Sequence, residues 1–248
     1  MSKVEYVDLT GLRVDGRRPH ELRKVAVKMN VLSRASGSAM FEQGNTKIVA
    51  SVFGPHQCTN RSKEIHDRAL INCEVVMAPF GGAGDRRKRA KGDRQVGEVA
   101  SMLRQTFESL LFCNLFPRAQ IDITVEVLQA DGPFRAQAIN AVTLALIDAG
   151  LPIQDFLVAC GVGYIDGYTL MDLNGLEDSA RGPEVVLAYM PNTNKLTTAH
   201  LEPKLPLEAL GPAMEMALEG SRELYKLLQV AVLEHCSQLA TARGQISL

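Results

Sequence analysis

From Ile121 to Leu128 apolar and polar residues alternate without a break. Ile121, Ile123, Val125 and Val127 fall on one side and Asp122, Thr124 and Glu126 on the other, the period of a half-buried strand. Ala69–Met77 alternates in the same way, with Ala69, Ile71, Cys73, Val75 and Met77 on one face, and Val25–Val31 does so more loosely. Between them, Ser38–Glu42 and Thr46–Phe53 flank Gln43-Gly44-Asn45, which predicts a hairpin. Two stretches have a helical period instead. One spans roughly Val99–Phe112, with Val99, Met102, Leu103, Thr106 and Leu110 on one face. The other is Arg135–Ala149, stopped by Gly150 ahead of Pro152.

The second half repeats this style. Phe156–Ile165 and Val185–Met190 are predicted as buried strands, and Asn192-Thr193-Asn194 as a hairpin turn before Lys195–His200. From about Leu207, Leu210, Met214, Ala217, Ser221, Leu224, Leu228 and Val232 recur every three or four residues, one packing stripe of a long helix. Strands followed by helices, twice over, predict an α+β layered fold. The halves share an order of elements but no residue-level repeat, and no low-complexity linker divides them.

Composition changes this picture little. The chain has 248 residues, 46% hydrophobic and 22% charged, enough apolar surface for one large core or two small ones. A net charge of −1 gives no reason at the whole-molecule level to expect nucleic acid, so any such contact must come from local patches. Five widely spaced cysteines without a CxxC pair suit reduced thiols in an intracellular protein rather than a disulfide framework or a zinc site. The N-terminus lacks a signal-like apolar run, and no stretch approaches the ~20 apolar residues of a membrane span. His20, His56, His66, His200 and His235 show no metal-ligand spacing.

Several unusual strings are more specific. They are LRVDGRRPHELR (12–23), EQGNTKIVASVFGP (42–55), HDRALINCEV (66–75), RQTFESLLFCNLFPRAQIDITVEVLQADG (104–132), INAVTLALIDAGLPIQDFL (139–157) and GYIDGYTLMDLNGLEDSA (163–180). They are collinear and cover nearly the whole chain, and together they resemble the RNase PH family. The wording FPRAQID, the DAGLP helix end and MDLNGLEDSA are similar to the catalytic-type ring subunit of the eukaryotic RNA exosome core rather than to bacterial RNase PH. The resemblance implies an α+β RNase PH-like fold over residues 1–248. Two similar strand-plus-helix halves, about 20–150 and 151–245, would pack their sheets on helices. It also implies a hetero-oligomeric ring threaded by single-stranded RNA, with other RNase PH-like subunits, S1/KH-type cap proteins and associated hydrolytic exoribonucleases as partners. The nucleus, nucleolus and cytoplasm are the implied locations, with no membrane partner.

The family's chemistry is phosphorolysis of the terminal RNA linkage, in which the site must hold inorganic phosphate in line with the 3′ phosphodiester. After LQAD, active members have Gly-Gly-(Ser/Thr)-Arg, where this chain has Gly132-Pro133-Phe134-Arg135. Pro133 has no N–H to donate, and Phe134 replaces a hydroxyl with a ring, so only Arg135 survives. A second phosphate arginine is expected three residues before Glu98, where Gln95 stands. The neighbouring Arg94 is expected to point elsewhere, because adjacent helical residues do not share a face. The family's paired aspartates become Asp178 and Glu184. This is a vestigial catalytic pair, with a weak capacity for Mg²⁺ if the chain were active and no cofactor otherwise required.

Outside that site, Asp85-Arg86-Arg87-Lys88-Arg89-Ala90-Lys91 follows Gly81-Gly82-Ala83-Gly84, a basic loop able to reach phosphates. The resemblance puts the channel-neck loop at residues 59–64. Arg61, Lys63, Arg86, Arg87 and Arg94 are therefore the RNA-facing candidates. The leading expectation is a binding and scaffold subunit of the ring. An active phosphate-dependent 3′→5′ exoribonuclease is the alternative, and a homohexamer acting alone on tRNA ends is the least favoured.

Overall fold

In the computed structural model, which describes residues 6–8, 11–58, 62, 64–82 and 94–242, the alternating segments become two sheets. The first contains β1 (Val25–Met29), β2 (Gly37–Gln43), β3 (Thr46–Gln57), β4 (Leu70–Met77) and β5 (Ala119–Gln129), in the order β1-β2-β3-β5-β4. β2 and β3 form the expected hairpin, with Gln43 opposite Thr46. β4 lies parallel to β5, and the crossover that a parallel pair requires contains helix α1 (Arg94–Leu110). This helix starts before the predicted Val99 because its first turn is polar and exposed, so the apolar period begins a turn late. It stops short of Phe112 because Leu111 turns away to bridge Ile153.

Helix α2 (Arg135–Asp148) is buried on every side from Ala136 to Leu146. A helix apolar all round belongs inside a core, and α2 packs on β2 and β3 of the first sheet and on the second sheet. Its end is a Schellman motif: Leu151 N donates to Leu146 O (3.2 Å) and Gly150 N to Ile147 O (3.0 Å). Gly150 has the positive φ (+68°) that this turn requires.

The second sheet contains β6 (Val158–Ile165), β7 (Tyr168–Met171), β8 (Glu184–Met190) and β9 (Lys195–Glu202), all antiparallel, in the order β7-β6-β8-β9. β6 begins two residues after Phe156, because the Asp155 carboxylate takes the Phe156 N–H and ties down Asn192 and Thr193 of the β8–β9 turn. β7 was not anticipated. It closes on β6 through Asp166-Gly167, both with positive φ, as a two-residue type I′ turn demands. Where β7 ends, Asn140 of α2 takes over, pairing its amide with both backbone groups of Ala159 (2.7 and 2.9 Å). Helix α3 (Gly175–Asp178) is one turn long, and α4 (Leu207–Ala242) packs Ala217, Gly220 and Leu224 onto the sheet. Gly220 lies so close to Cys160 and Met171 that an added methyl group would force their side chains to shift.

One apolar cluster runs through both halves, from Phe41 and Ile123 through Ile139 to Leu187 and Leu228. The five cysteines are free thiols. No helix among the described residues is long and apolar enough to cross a membrane.

Candidate active site

Buried arginines assemble the site. Arg13, only 3% exposed, directs its guanidinium to both carboxylate oxygens of Glu177 and to the carbonyls of Met171 and Asp172. Arg23 binds both oxygens of Asp172 (2.7 and 2.9 Å) and the carbonyl of Asp131 (2.8 Å). Glu177 and Asn174 form a capping box on α3. Asp131 accepts from Gly175 N (2.9 Å) and from Asn45 of the first hairpin turn (3.0 Å). The segment from Arg13 to Arg23 is thus a clamp joining the stretches that carry Gly132–Arg135 and Asp178. Its residues hold the site without lining it.

The clamp brings together residues far apart in the chain. Gln95, Pro133, Phe134, Arg135, Asp178 and Glu184 surround an inner cavity of about 220 Å³. It opens into a cleft of about 740 Å³ bordered also by Arg94, Glu98, Arg181 and Glu202. Gly132 has φ +98°, and a Cβ there would lie 2.7 Å from the carbonyl of Leu173, so the loop passes where only glycine fits. The Phe134 ring is turned into the core, 4% exposed, and no side chain caps α2. Arg94 and Gln95 both reach the outer cleft, which wraps the first turn of α1. Only Gln95 borders the inner cavity, and Arg94 is engaged by Glu98 at 2.8 Å.

Arg135 is the charged centre. Its Nη1 donates to Glu184 (3.2 Å) and its Nη2 to Glu202 (2.6 Å). Burial pushes the Glu184 carboxyl up to about 7 despite Arg135 beside it, and burial also raises Asp178. Burial thus favours protonation of both acids against the pull of the guanidinium. Among the described residues no three His, Cys, Asp or Glu side chains gather for a metal ion. Sequence reasoning missed Glu202 and set aside His200, which lies 3.4 Å from it. The signal was the β8–β9 register, which pairs Glu184 with Glu202. Arg61, Lys63, Arg86 and Arg87 lie outside the described residues.

Two loops, two helix starts and two strand ends thus meet around Arg135 and the carboxylates of Asp178, Glu184 and Glu202. Residues 21–152 match the 3′ exoribonuclease family, domain 1, and residues 155–220 match its domain 2. The chain belongs to the RNase PH family of 3′ exoribonucleases. Within it, the chain is 42% identical over 245 residues to the mouse exosome complex component RRP41, covering 98% of this chain and all of that protein. It is 42% identical to the RRP41 homolog of Arabidopsis thaliana, over 97% of this chain and all of that protein. The crystal structure of rice Rrp46 superimposes with a TM-score of 0.76 at 28% identity, covering 89% of this chain and all of the other. The RNase PH fold expected from the sequence is therefore the fold observed.

Proposed function

We propose that this RNase PH-like chain is a ring subunit of an RNA exosome core that lines the RNA path and scaffolds 3′→5′ RNA processing and decay, without phosphorolysis of its own. One observation carries the second half of this reading. Arg135, the surviving phosphate arginine, has both guanidinium arms on the chain's own carboxylates. The groups beside it do not compensate. Pro133 offers no N–H, Phe134 is committed to the core, and Gln95 carries no charge. Losing a single preorganised donor costs roughly 10²–10³ in rate, and here three are altered.

The exosome assignment is supported by full-length likeness to RRP41 proteins. On it rest the other proposed partners: single-stranded RNA, further RNase PH-like subunits, S1/KH-type caps and docked hydrolytic exoribonucleases. Nuclear, nucleolar and cytoplasmic sites follow from the same reading. Asp178 and Glu184 in one cleft with Arg135 favour the alternative, an active phosphorolytic exoribonuclease. In that case they would hold Mg²⁺, which would neutralise charge on the transferring phosphate.

The test is release of nucleoside diphosphates by the reconstituted ring at saturating phosphate. Little or none is expected, and efficient release abolished by Asp178→Ala would establish the alternative. Restoring Gln95→Arg with Pro133→Gly should raise activity. Adding Phe134→Ser is a poor third change, because it empties core volume at roughly 3–5 kcal/mol.

A further inference from the structure

We propose that Glu202 is an internal anion, occupying on Arg135 the position that inorganic phosphate would need, so that this side chain competes with phosphate for the site. The inference rests on reading the cleft as the phosphate side of an RNase PH site, and it concerns binding rather than turnover. Phosphate and carboxylate present an arginine with the same feature, oxygens placed to accept its forked N–H groups. Arg135 already has one such oxygen on each arm, from Glu184 and Glu202.

The two carboxylates are not equivalent. Glu184 opens β8, with its side chain 12% exposed, and is built into the floor. Glu202 closes the edge strand β9, with its side chain 51% exposed and His200 Nε2 3.4 Å from the same oxygen that Arg135 binds. The strand register makes them direct neighbours, roughly 5 Å apart at the backbone. Like charges so placed repel unless a cation stands between them, and Arg135 is that cation. A phosphate dianion arriving here must either expel Glu202 or sit against two carboxylates with one guanidinium. Replacing Glu202 by Gln keeps the shape, removes one negative charge and leaves that arm of Arg135 at most a neutral amide oxygen, which an outside anion displaces more readily. The alterations at Gln95, Pro133 and Phe134 lower the affinity such an anion can reach, but they do not close the seat.

The experiment is calorimetric titration of inorganic phosphate into the full-length chain, in the assembly with which it purifies. Three forms are compared: native, Glu202→Gln, and Glu202→Gln with Arg135→Gln, each checked for an unchanged melting transition. Phosphate affinity should rise about tenfold or more in the single variant, one charge-assisted hydrogen bond's worth, and return to the native level in the double variant. Equal affinity in native and Glu202→Gln proteins would overturn the proposal, as would a gain that survives Arg135→Gln. Nucleoside diphosphate release by the native ring would instead overturn the reading of the site as inactive, while leaving the affinity comparison interpretable.

Discussion

A guanidinium shut away from water is tolerated only while its donors are matched, and Arg13 meets that condition through Glu177 and two carbonyls. Arg13→Met therefore leaves a buried carboxylate without its counter-charge, a change that costs about 3–5 kcal/mol and is read as a lower midpoint in urea unfolding. Glu184 makes a prediction of opposite sign. Its carboxyl is raised to about 7 by burial, so the folded chain holds that proton more tightly than the unfolded chain does. Its contribution to stability is therefore full below the ordinary glutamate range and falls as pH rises through about 7. Glu184→Gln removes that slope. Relative to the native protein, the variant should gain up to about 3 kcal/mol between mildly acidic and mildly alkaline pH, measured by melting across the range. Neither property was legible in the sequence. Nothing near Arg13 announces a partner 164 positions away, and a Glu in a polar loop does not reveal its own burial.

The elements were largely legible, because period and turn residues act locally. The β2–β3 hairpin, α2 and α4 appear where alternation, Gly150 and the apolar stripe put them. β7 and α3 were not, because four residues carry too little period, although Asp166-Gly167 was a usable hairpin signal. The first turn of α1 escaped because its polar residues serve the cleft. Two glycines separate backbone strain from crowding. Gly150→Ala meets open space but must hold φ near +68°, and should cost about 1–2 kcal/mol. Gly132→Ala faces the same kind of strain and a carbonyl 2.7 Å from its new methyl, so it should displace the loop itself. Faster amide exchange around residues 131–135 in that variant alone would check the distinction.

For the whole molecule, α4 leaves an apolar stripe uncovered. On the outer side of α4, Leu227, Val230 and Leu233 are each more than half exposed, and Leu207 is 84% exposed. Clusters of this kind mark faces that partners cover. The chain expressed by itself should associate or aggregate, and coexpression with ring partners should yield a discrete hetero-oligomer by sizing. RNA contact is expected through Arg61 and Lys63. Reversing both charges should weaken binding to the assembled ring similarly for all sequences and flatten its salt dependence. Unchanged RNA protection would remove them from the path. The proposed ring membership rests on resemblance, since a net charge of −1 and ordinary composition carry no sign of it.

The arginine clamp has a consequence in time. During synthesis Arg13 leaves the ribosome 164 residues before Glu177, a wait of roughly ten to thirty seconds at cellular elongation rates. The β1–β5 sheet can be complete while the segment ahead of it still lacks its counter-charges. The clamp can close only once β7 and α3 have been made, when the Arg13–Arg23 segment returns to them. Until α3 is made, the joint that aligns Arg135 with Asp178 cannot form.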